Sequence, residues 1–334
     1  MTSIARRRPR AALAALAAGP VVALLAACGG TSGAAESDDL QHAAQAAGLE
    51  VSTSPHQDRI HTPANPEAIA LLPPAFADTD TLKVAVSATG APPLVFLADD
   101  EKTPIGNETD IAQLVADALG KKLELDVKAW ADWPLAVQSG DVDAVITNVT
   151  VTEERKELYD FSSYRNDELG WLVKAGGKLA DTTITEPQDI AGLTVAVGSG
   201  TNQEKILLAW DEENTKAGLA PVKVEYFDND SDTTLALQSG RIDASFGPNA
   251  SASYKAKVSP QDFAVVGTLN GGWPDKAQIA VATLKGNDLA PAVTAALQGA
   301  FDDGSYAKVL QRWGLEAEAI EQPETNPPGL PKTS

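Results

Sequence analysis

Histidine and cysteine are nearly absent from this chain, and the few that occur lie close to its N-terminus. The three histidines are His42, His56 and His61, and the one cysteine is Cys28. A metal site of the zinc type needs a cluster of such ligands and a disulfide needs a second cysteine, so neither is expected. The rest of the chain also lacks an imidazole base and any serine–histidine or cysteine–histidine pair for nucleophilic catalysis.

Basic residues are scarce as well. The 334 residues include 26 Lys and Arg against 46 Asp and Glu, which gives a formal net charge of −20. Binding to a phosphate backbone requires a basic face, so nucleic acid is not expected as a partner. A hydrophobic fraction of 43% over this length is enough for one large or two ordinary globular domains.

Residues 1–27 have the pattern of a signal peptide. Arginines between Arg6 and Arg10 precede an apolar run, Ala11–Ala27, which Gly19-Pro20 interrupts and which is short for a membrane span. The run ends in Leu25-Ala26-Ala27-Cys28-Gly29, which resembles the lipobox of bacterial lipoproteins. We therefore expect cleavage before Cys28, lipidation of Cys28, and an extracytoplasmic protein anchored to the cell membrane by its N-terminus.

Residues 28–81 are rich in Ala, Ser, Thr, Asp and Pro and are predicted to be a tether, with one or two helical turns after Asn65. From residue 82 onward, strand and helix patterns alternate. The predicted elements are a strand at Leu82–Val86, a helix at Asp110–Leu119, a strand at Leu123–Ala129, a helix at Trp133–Gln138 and a strand at Val142–Ile146. This order predicts a mostly parallel, doubly wound α/β sheet.

The second half of the chain repeats the first. The segment LAVQSGDVDAV at 135–145 recurs as LALQSGRIDAS at 235–245, and each copy predicts a helix that ends at glycine and passes into a buried strand. A strand at Leu193–Val197, a helix from Thr201 and a strand at Val222–Tyr226 precede the second copy. We expect two lobes of like topology that face each other across a cleft.

The segment Asn148–Arg155, with the sequence NVTVTEER, is the strongest local candidate for a binding site; we call it the arginine loop. Thr152 is predicted to cap a helix that starts here. The forked guanidinium of Arg155, beside unpaired helix amides, could receive a carboxylate. Alternatively, Arg155 could simply pair with neighbouring glutamates on a solvated helix face. The local sequence leaves both interpretations open.

Several motifs between residues 82 and 316 are similar to those of a known protein family. The chain resembles the polar-amino-acid-binding family (family 3) of ABC-transporter extracellular solute-binding proteins. The motifs are Gly106-x-Glu108-x-Asp110-Ile111, Ser139-Gly140-x-x-Asp143, Thr150-Val151-Thr152-x-Glu154-Arg155, Asp160-Phe161-Ser162, Ser199-Gly200-Thr201-x-Gln203-Glu204 and Trp313-Gly314-Leu315.

The resemblance implies a two-lobed clamp, in which each lobe is a mostly parallel sheet flanked by helices. It places hinge crossings near Leu169–Lys174 and Gly267–Ile279. The expected division is residues 82–170 plus 276–322 for the first lobe, 171–275 for the second, and 323–334 for an extended, Pro-rich tail.

The resemblance also implies roles for individual residues. Arg155 and Thr150 would bind a ligand carboxylate, Asn148 would line the site, Thr201 and Asn202 would contact the ligand from the second lobe, and Trp130 would cover it. The chain departs from the family where an acid usually holds the ligand ammonium, because Pro248 stands there, and Ser87 to Gly90 replace the usual acidic or aromatic residues of the first lobe. Asn249 could accept from an amine instead.

The implied function is binding, not catalysis. The protein would capture an amino acid or amino-acid-like carboxylated solute and deliver it to an ABC permease, acting as a monomer without a cofactor. One alternative is a ligand sensor for a membrane receptor. Another is an enzyme like the cyclohexadienyl dehydratases, which resemble this family and need an acid in the cleft. Nucleotide binding is not expected, because Thr201-Asn202 follows Gly198-Ser199-Gly200 where a phosphate loop requires Lys-Ser/Thr.

Overall fold

The computed structural model describes residues 51–88 and 92–332. The predicted signal peptide, Cys28 and the first part of the predicted tether lie outside these residues. Within the described ranges, every helix is too short or too polar to cross a bilayer.

The first lobe is built on a five-stranded sheet. Its strands are β1 (Thr81–Val86), β4 (Lys122–Val127), β5 (Ala144–Val145), β6 (Tyr159–Asn166) and β12 (Gln278–Leu284), and a short hairpin is formed by β2 (Phe96–Leu97) and β3 (Pro104–Ile105). The strand order is β4-β1-β5-β12-β6. Strand β12 runs antiparallel to both of its neighbours, and the pairs β1–β4 and β1–β5 are parallel. The helices are α3 (Asn107–Ala118), α4 (Trp133–Ser139), α8 (Ala290–Asp302) and α9 (Ser305–Trp313).

The second lobe has the equivalent five-stranded sheet. Its strands are β7 (Glu168–Lys174), β8 (Thr194–Val197), β9 (Lys223–Tyr226), β10 (Ala244–Pro248) and β11 (Phe263–Asn270), and its helices are α5 (Asn202–Lys216), α6 (Asp230–Gln238) and α7 (Asn249–Val258). The strand order is β11-β7-β10-β8-β9, with β7 as the antiparallel strand. The core of this lobe includes Trp171, which stacks on Phe246 with ring centroids 3.9 Å apart.

The predicted fold class is therefore confirmed, and the sequence repeat has a structural counterpart. The repeated segments form α4 with β5 in the first lobe and α6 with β10 in the second. In each copy the turn after the helix passes through a glycine with positive φ, Gly140 at 75° and Gly240 at 73°. A side chain with a Cβ rarely adopts this conformation, which explains the shared Ser-Gly.

The chain crosses between the lobes twice. It passes from β6 to β7 at Asp167, and from β11 to β12 through residues 271–277. The predicted first crossing, Leu169–Lys174, lies a few residues too late, because that apolar run forms β7 inside the second sheet. The second crossing falls within the predicted range.

Residues 51–80 are not a free tether, which corrects the prediction for this part of the chain. Val51 and Ala68 are buried in the core of the first lobe, and Arg59 forms an ion pair of 2.7 Å with Asp110 of α3. The helical turn expected after Asn65 is α1 (Pro66–Ala70), which Asn65 caps, and a second short helix that was not expected, α2 (Pro74–Ala77), follows it. Composition predicted disorder here because the few apolar contacts are spread widely along the segment.

The C-terminal tail is extended, and it packs against the arginine loop. Leu330 N donates to Val151 O at 3.0 Å, and Glu153 N donates to Leu330 O at 2.9 Å. Gly329 lies so close to the loop that an added Cβ would be 2.5 Å from Val151 O. The tail therefore supports the backbone of the segment that carries Arg155.

Candidate ligand-binding site

A cavity of about 230 Å³ lies between the two lobes. It is formed where β1, β5, β8, β9 and β10 end, the position at which open α/β sheets commonly bind ligands. The residues that matter below are, from the first lobe, Ser87, Glu108, Trp130 and Asn148, and from the second, Thr201, Asn202, Asp228, Asp230 and Pro248.

Helix α5 begins at this cavity and offers unpaired backbone N–H groups to it. Thr201 is the N-cap, and its hydroxyl accepts from Glu204 N at 3.2 Å. The Glu204 carboxylate accepts from Gly200 N at 2.6 Å. The partial positive charge of the first turn, with Asn202 and Gln203 in the wall, favours an anionic group in the cavity.

Arg155 lies beside the cavity wall and connects the two lobes. It donates from Nη1 to Thr150 O at 2.8 Å and from Nη2 to Gly200 O, in the second lobe, at 3.2 Å. Its guanidinium carbon is 5.5 Å from the ring centroid of Trp130, which itself lines the cavity. Burial lowers the pKa of Arg155 to about 10, so the group stays charged at neutral pH.

The neighbouring glutamates are paired with other residues. Glu153 binds Lys156 at 2.8 Å and Glu154 binds Lys205, and in the described part of the chain no carboxylate lies within ion-pair distance of Arg155. The predicted helix after Thr152 is only a 3₁₀ turn, Arg155–Glu157, because the chain enters β6 at Tyr159. The N-cap of this turn is Glu154 and not the predicted Thr152, although the Thr152 hydroxyl accepts from Arg155 N at 3.0 Å.

Thr150 and Asn202, from opposite lobes, share a partner at the first crossing. The same oxygen of Asp167, Oδ2, accepts from Thr150 Oγ1 at 2.7 Å and from Asn202 Nδ2 at 2.9 Å. Asn202 Nδ2 also donates to Gly271 O at 2.8 Å in the second crossing. Burial raises the pKa of Asp167. The Asp167 carboxylate therefore binds Thr150 and Asn202, two residues to which the resemblance assigned contacts with the ligand.

Below the cavity floor lies a buried charge cluster, which we call the Arg165 cluster: Glu108, Tyr164, Arg165 and Glu318. Arg165 Nη2 is 3.1 Å from Glu108 Oε1, and its Nη1 binds Glu318. Tyr164 donates its hydroxyl to Glu108. Burial alone would lower the pKa of Arg165, but Glu318 and Glu108 attract the cation and raise it overall.

Asn148 joins the Arg165 cluster to the cavity. Its side-chain oxygen accepts from Arg165, and its backbone N–H donates to Glu108 Oε2 at 3.0 Å. Asn148 has φ of 57°, in the left-handed region that asparagine tolerates better than most residues. The sequence analysis missed Arg165, Asp167 and Glu318. The available signal was a pair of charges, Arg165 near the end of β6 and Asp167 just before β7, in two strands whose other residues are mostly buried.

The predicted site residues fall into three groups. Trp130, Asn148, Thr201 and Asn202 line the cavity. Thr150 and Arg155 lie next to its wall. Asn249 is not among the lining residues: its side-chain oxygen accepts from Ser253 Oγ at 2.9 Å and lies against Gly170 of β7.

The binding role of each of these residues stays a prediction. Of the residues that replace the family's usual first-lobe groups, Ser87 lines the cavity, while Thr89 and Gly90 lie outside the described residues.

Replacing Asp167 by alanine should lower the free energy of unfolding by about 1–3 kcal/mol, because Thr150 and Asn202 would lose a shared acceptor. Asp167→Asn should cost much less, since one amide oxygen can accept both bonds. Urea denaturation measures both values. Small-angle scattering of the ligand-free protein should also report a more open shape for Asp167→Ala. Wild-type stability and shape in Asp167→Ala would contradict a link between the lobes at this residue.

Two α/β lobes that enclose a cavity and are joined by two crossings define a clamp-type ligand-binding protein. The family model described as bacterial extracellular solute-binding proteins, family 3, matches residues 82–316. The chain belongs to this family, and its function is that of a solute-binding protein.

Individual relatives agree with this assignment. The L-cystine-binding protein TcyJ of Escherichia coli (strain K12) is 33% identical over 235 residues, which cover 70% of this chain and 82% of TcyJ. A solved structure of an ancestral arginine-binding protein bound to arginine has a TM-score of 0.61 and 32% identity, covering 70% of this chain and 98% of that one. The ancestral amino acid-binding protein AncCDT-1, a precursor of cyclohexadienyl dehydratase, has a TM-score of 0.59 and 27% identity, covering 70% of this chain and 95% of its own.

Proposed function

We propose that this protein captures an amino acid, or a closely related carboxylated solute, between its lobes and delivers it to an ABC permease. The observation that carries the proposal is the charged Arg155, which has no carboxylate partner among the described residues and lies beside the amides of α5. Relatives that bind L-cystine and arginine support an amino acid as the ligand class.

The proposed capture uses groups from both lobes. A ligand carboxylate entering the cavity would approach the first turn of α5 from one side and Arg155 from the other. The guanidinium now donates to two neutral carbonyl oxygens, and a carboxylate is a stronger acceptor than either. Because the bond to Gly200 crosses between the lobes, binding at Arg155 would be linked to lobe closure.

The magnitudes agree with this scheme. A ligand of ~10 heavy atoms bound at ~1 μM requires ~8 kcal/mol, or about 0.8 kcal/mol per atom. Values of this size need near-complete enclosure and several charge-assisted hydrogen bonds. A cavity between closing lobes supplies the enclosure, and Arg155 with the α5 amides supplies the charge-assisted hydrogen bonds.

Binding is favoured over catalysis because the relatives that this chain resembles are binding proteins. An enzyme of the dehydratase type would need an acid in the cleft for proton transfer. Arg165, Tyr164 and the Asn148 amide occupy the Glu108 carboxylate and Lys255 pairs with Asp230, so Asp228 is the acid in the described cavity wall that such an enzyme could use. Turnover of prephenate or arogenate by the purified protein would favour the enzymatic alternative.

The proposal is tested by a calorimetric and thermal-shift screen of the twenty amino acids, L-cystine, betaines, opines and dipeptides. We expect micromolar binding of at least one α-amino acid with a raised melting temperature, and no binding of amines that lack a carboxylate. Failure of every carboxylated solute would contradict the proposal. Loss of uptake after gene deletion would separate import from a sensory role, which would leave uptake normal.

We further propose that the mature protein is a monomer held at the membrane by a lipid on Cys28. Cys28→Ala should abolish incorporation of an alkyne-labelled fatty acid and release the protein from the membrane fraction into the soluble fraction. Equal labelling of the variant and the wild type would contradict the anchor. The lipobox-like sequence supports it, and Cys28 is the only cysteine in the chain.

A further inference from the structure

We propose that Asp228 binds a second, cationic group of the ligand, so that the preferred solutes are amino acids with a positive charge at the far end of the side chain. Basic amino acids and diamino dicarboxylic acids have this chemistry. The inference rests on the proposed function, and it adds the residue that selects among carboxylated solutes.

Asp228 differs from the other acids of the cavity in having no partner. Glu108 is bound within the Arg165 cluster, and Asp230 forms an ion pair of 2.6 Å with Lys255. Asp228 follows β9, lines the cavity at an exposed position, and among the described residues has no hydrogen-bond or ion-pair partner. Its carboxylate is therefore available to a ligand.

The charges around the cavity leave that carboxylate uncompensated. The lining residues that the structure describes include three acids and no lysine, arginine or histidine. Arg241 lies over the ring of Phe227, a residue of this wall, at 5.0 Å and is 4.0 Å from Glu225. A cationic group of the ligand would compensate the charge of Asp228, whereas a neutral ligand side chain would leave Asp228 hydrated.

The position of Asp228 favours a distal group over the α-ammonium. The resemblance places the usual ammonium-binding acid at the end of β10, where this chain has Pro248. The sheet order β10-β8-β9 puts Asp228 two strands away from that point. Two strand spacings are ~10 Å, too far for one ammonium to be shared and close to the span of a long amino-acid side chain.

The effect of Asp228 should be selective and of moderate size. A charge-assisted contact in a cavity that still admits water is weaker than a buried one. We expect Asp228→Asn to weaken binding of L-arginine, L-lysine or L-cystine by roughly 5- to 30-fold, with less than ~2-fold change for L-glutamine or L-leucine.

The test is isothermal titration of the wild type, Asp228→Asn and a matched control, Glu212→Gln, against these five probes at low and high salt. Glu212 carries the same charge on an exposed part of α5, in the same lobe but outside the cavity. The expected result is a selective, salt-sensitive loss in Asp228→Asn alone for L-arginine, L-lysine and L-cystine, the probes with a distal cationic group, which we call the cationic probes.

Three outcomes would overturn the inference. They are equal losses for cationic and neutral probes, no loss at all, and a wild type that binds only neutral amino acids; in each case the proposed function itself would survive. A wild type that binds no amino acid would overturn the proposed function as well, so the two failures are distinguishable.

Discussion

Arg155→Ala should weaken binding of the amino-acid ligand by about 2–4 kcal/mol, or roughly 30- to 900-fold, with little change in folding stability. The substitution removes a forked, charged donor whose place the smaller side chain cannot fill. Folding should be spared because Arg155 donates only to two carbonyl oxygens and remains partly exposed. Calorimetry gives the affinity, and urea denaturation gives the stability.

Two companion variants make the result specific. Arg155→Lys keeps the charge but loses the two-pronged geometry, so its affinity should lie between those of the wild type and the alanine variant. Lys156→Ala removes the adjacent charge, which binds Glu153 and Pro327 O instead of the cavity, and should bind as the wild type does. Wild-type affinity in Arg155→Ala would remove the basis of the proposed function.

Arg165→Met should reduce the free energy of unfolding by about 3–5 kcal/mol, the largest stability effect that we expect in this protein. Methionine fills a similar volume but leaves Glu108 and Glu318 buried without their shared cation. Glu318→Gln should be tolerated much better, because one glutamate and one arginine still form a pair. Denaturant titration compares the variants. Equal stability of Arg165→Met and the wild type would show that the ion pairs of Arg165 with Glu108 and Glu318 do not stabilise the protein.

The pH dependence of these variants provides a further check. Burial raises the pKa of Glu318 to about 7 from its usual 4.5. The folded state therefore holds this proton where the unfolded state has lost it, so the contribution of Glu318 to stability falls as pH rises from about 4.5 to about 7. Glu318→Gln should flatten this slope, and the deficit of Arg165→Met should be smaller at pH 5 than at pH 8. Identical slopes in all three proteins would contradict the assignment.

The fold was predictable because its pattern repeats. The Ser-Gly-x-x-Asp segments at 139–143 and 239–243 each predict a helix, a left-handed glycine and a buried strand, and both form these elements. The alternation of strands and helices predicted the mostly parallel α/β sheets. Boundaries were less accurate where a long-range contact decides them, as at Tyr159, where strand pairing with β12 ends the helical turn after Arg155.

The site was predictable in part. The helix start at Thr201 followed from a local motif, since capping uses neighbouring residues. The place of Arg155 beside the cavity followed from the family resemblance, because its local sequence left two interpretations open. The partners of Thr150 and Asn202 did not, because Asp167 meets them only when the two crossings bring distant segments together. Likewise, nothing local marks Glu318, more than 150 residues from Arg165, as its ion-pair partner.

The most direct test of the carboxylate site is a cycle of four affinities. It combines the wild type and Arg155→Ala with the tightest-binding amino acid and with the α-carboxamide of the same compound. If the guanidinium neutralises the carboxylate, amidation should cost the wild type about 2–4 kcal/mol and the variant much less. An equal loss in both proteins would show that the acid group binds elsewhere and would contradict the account.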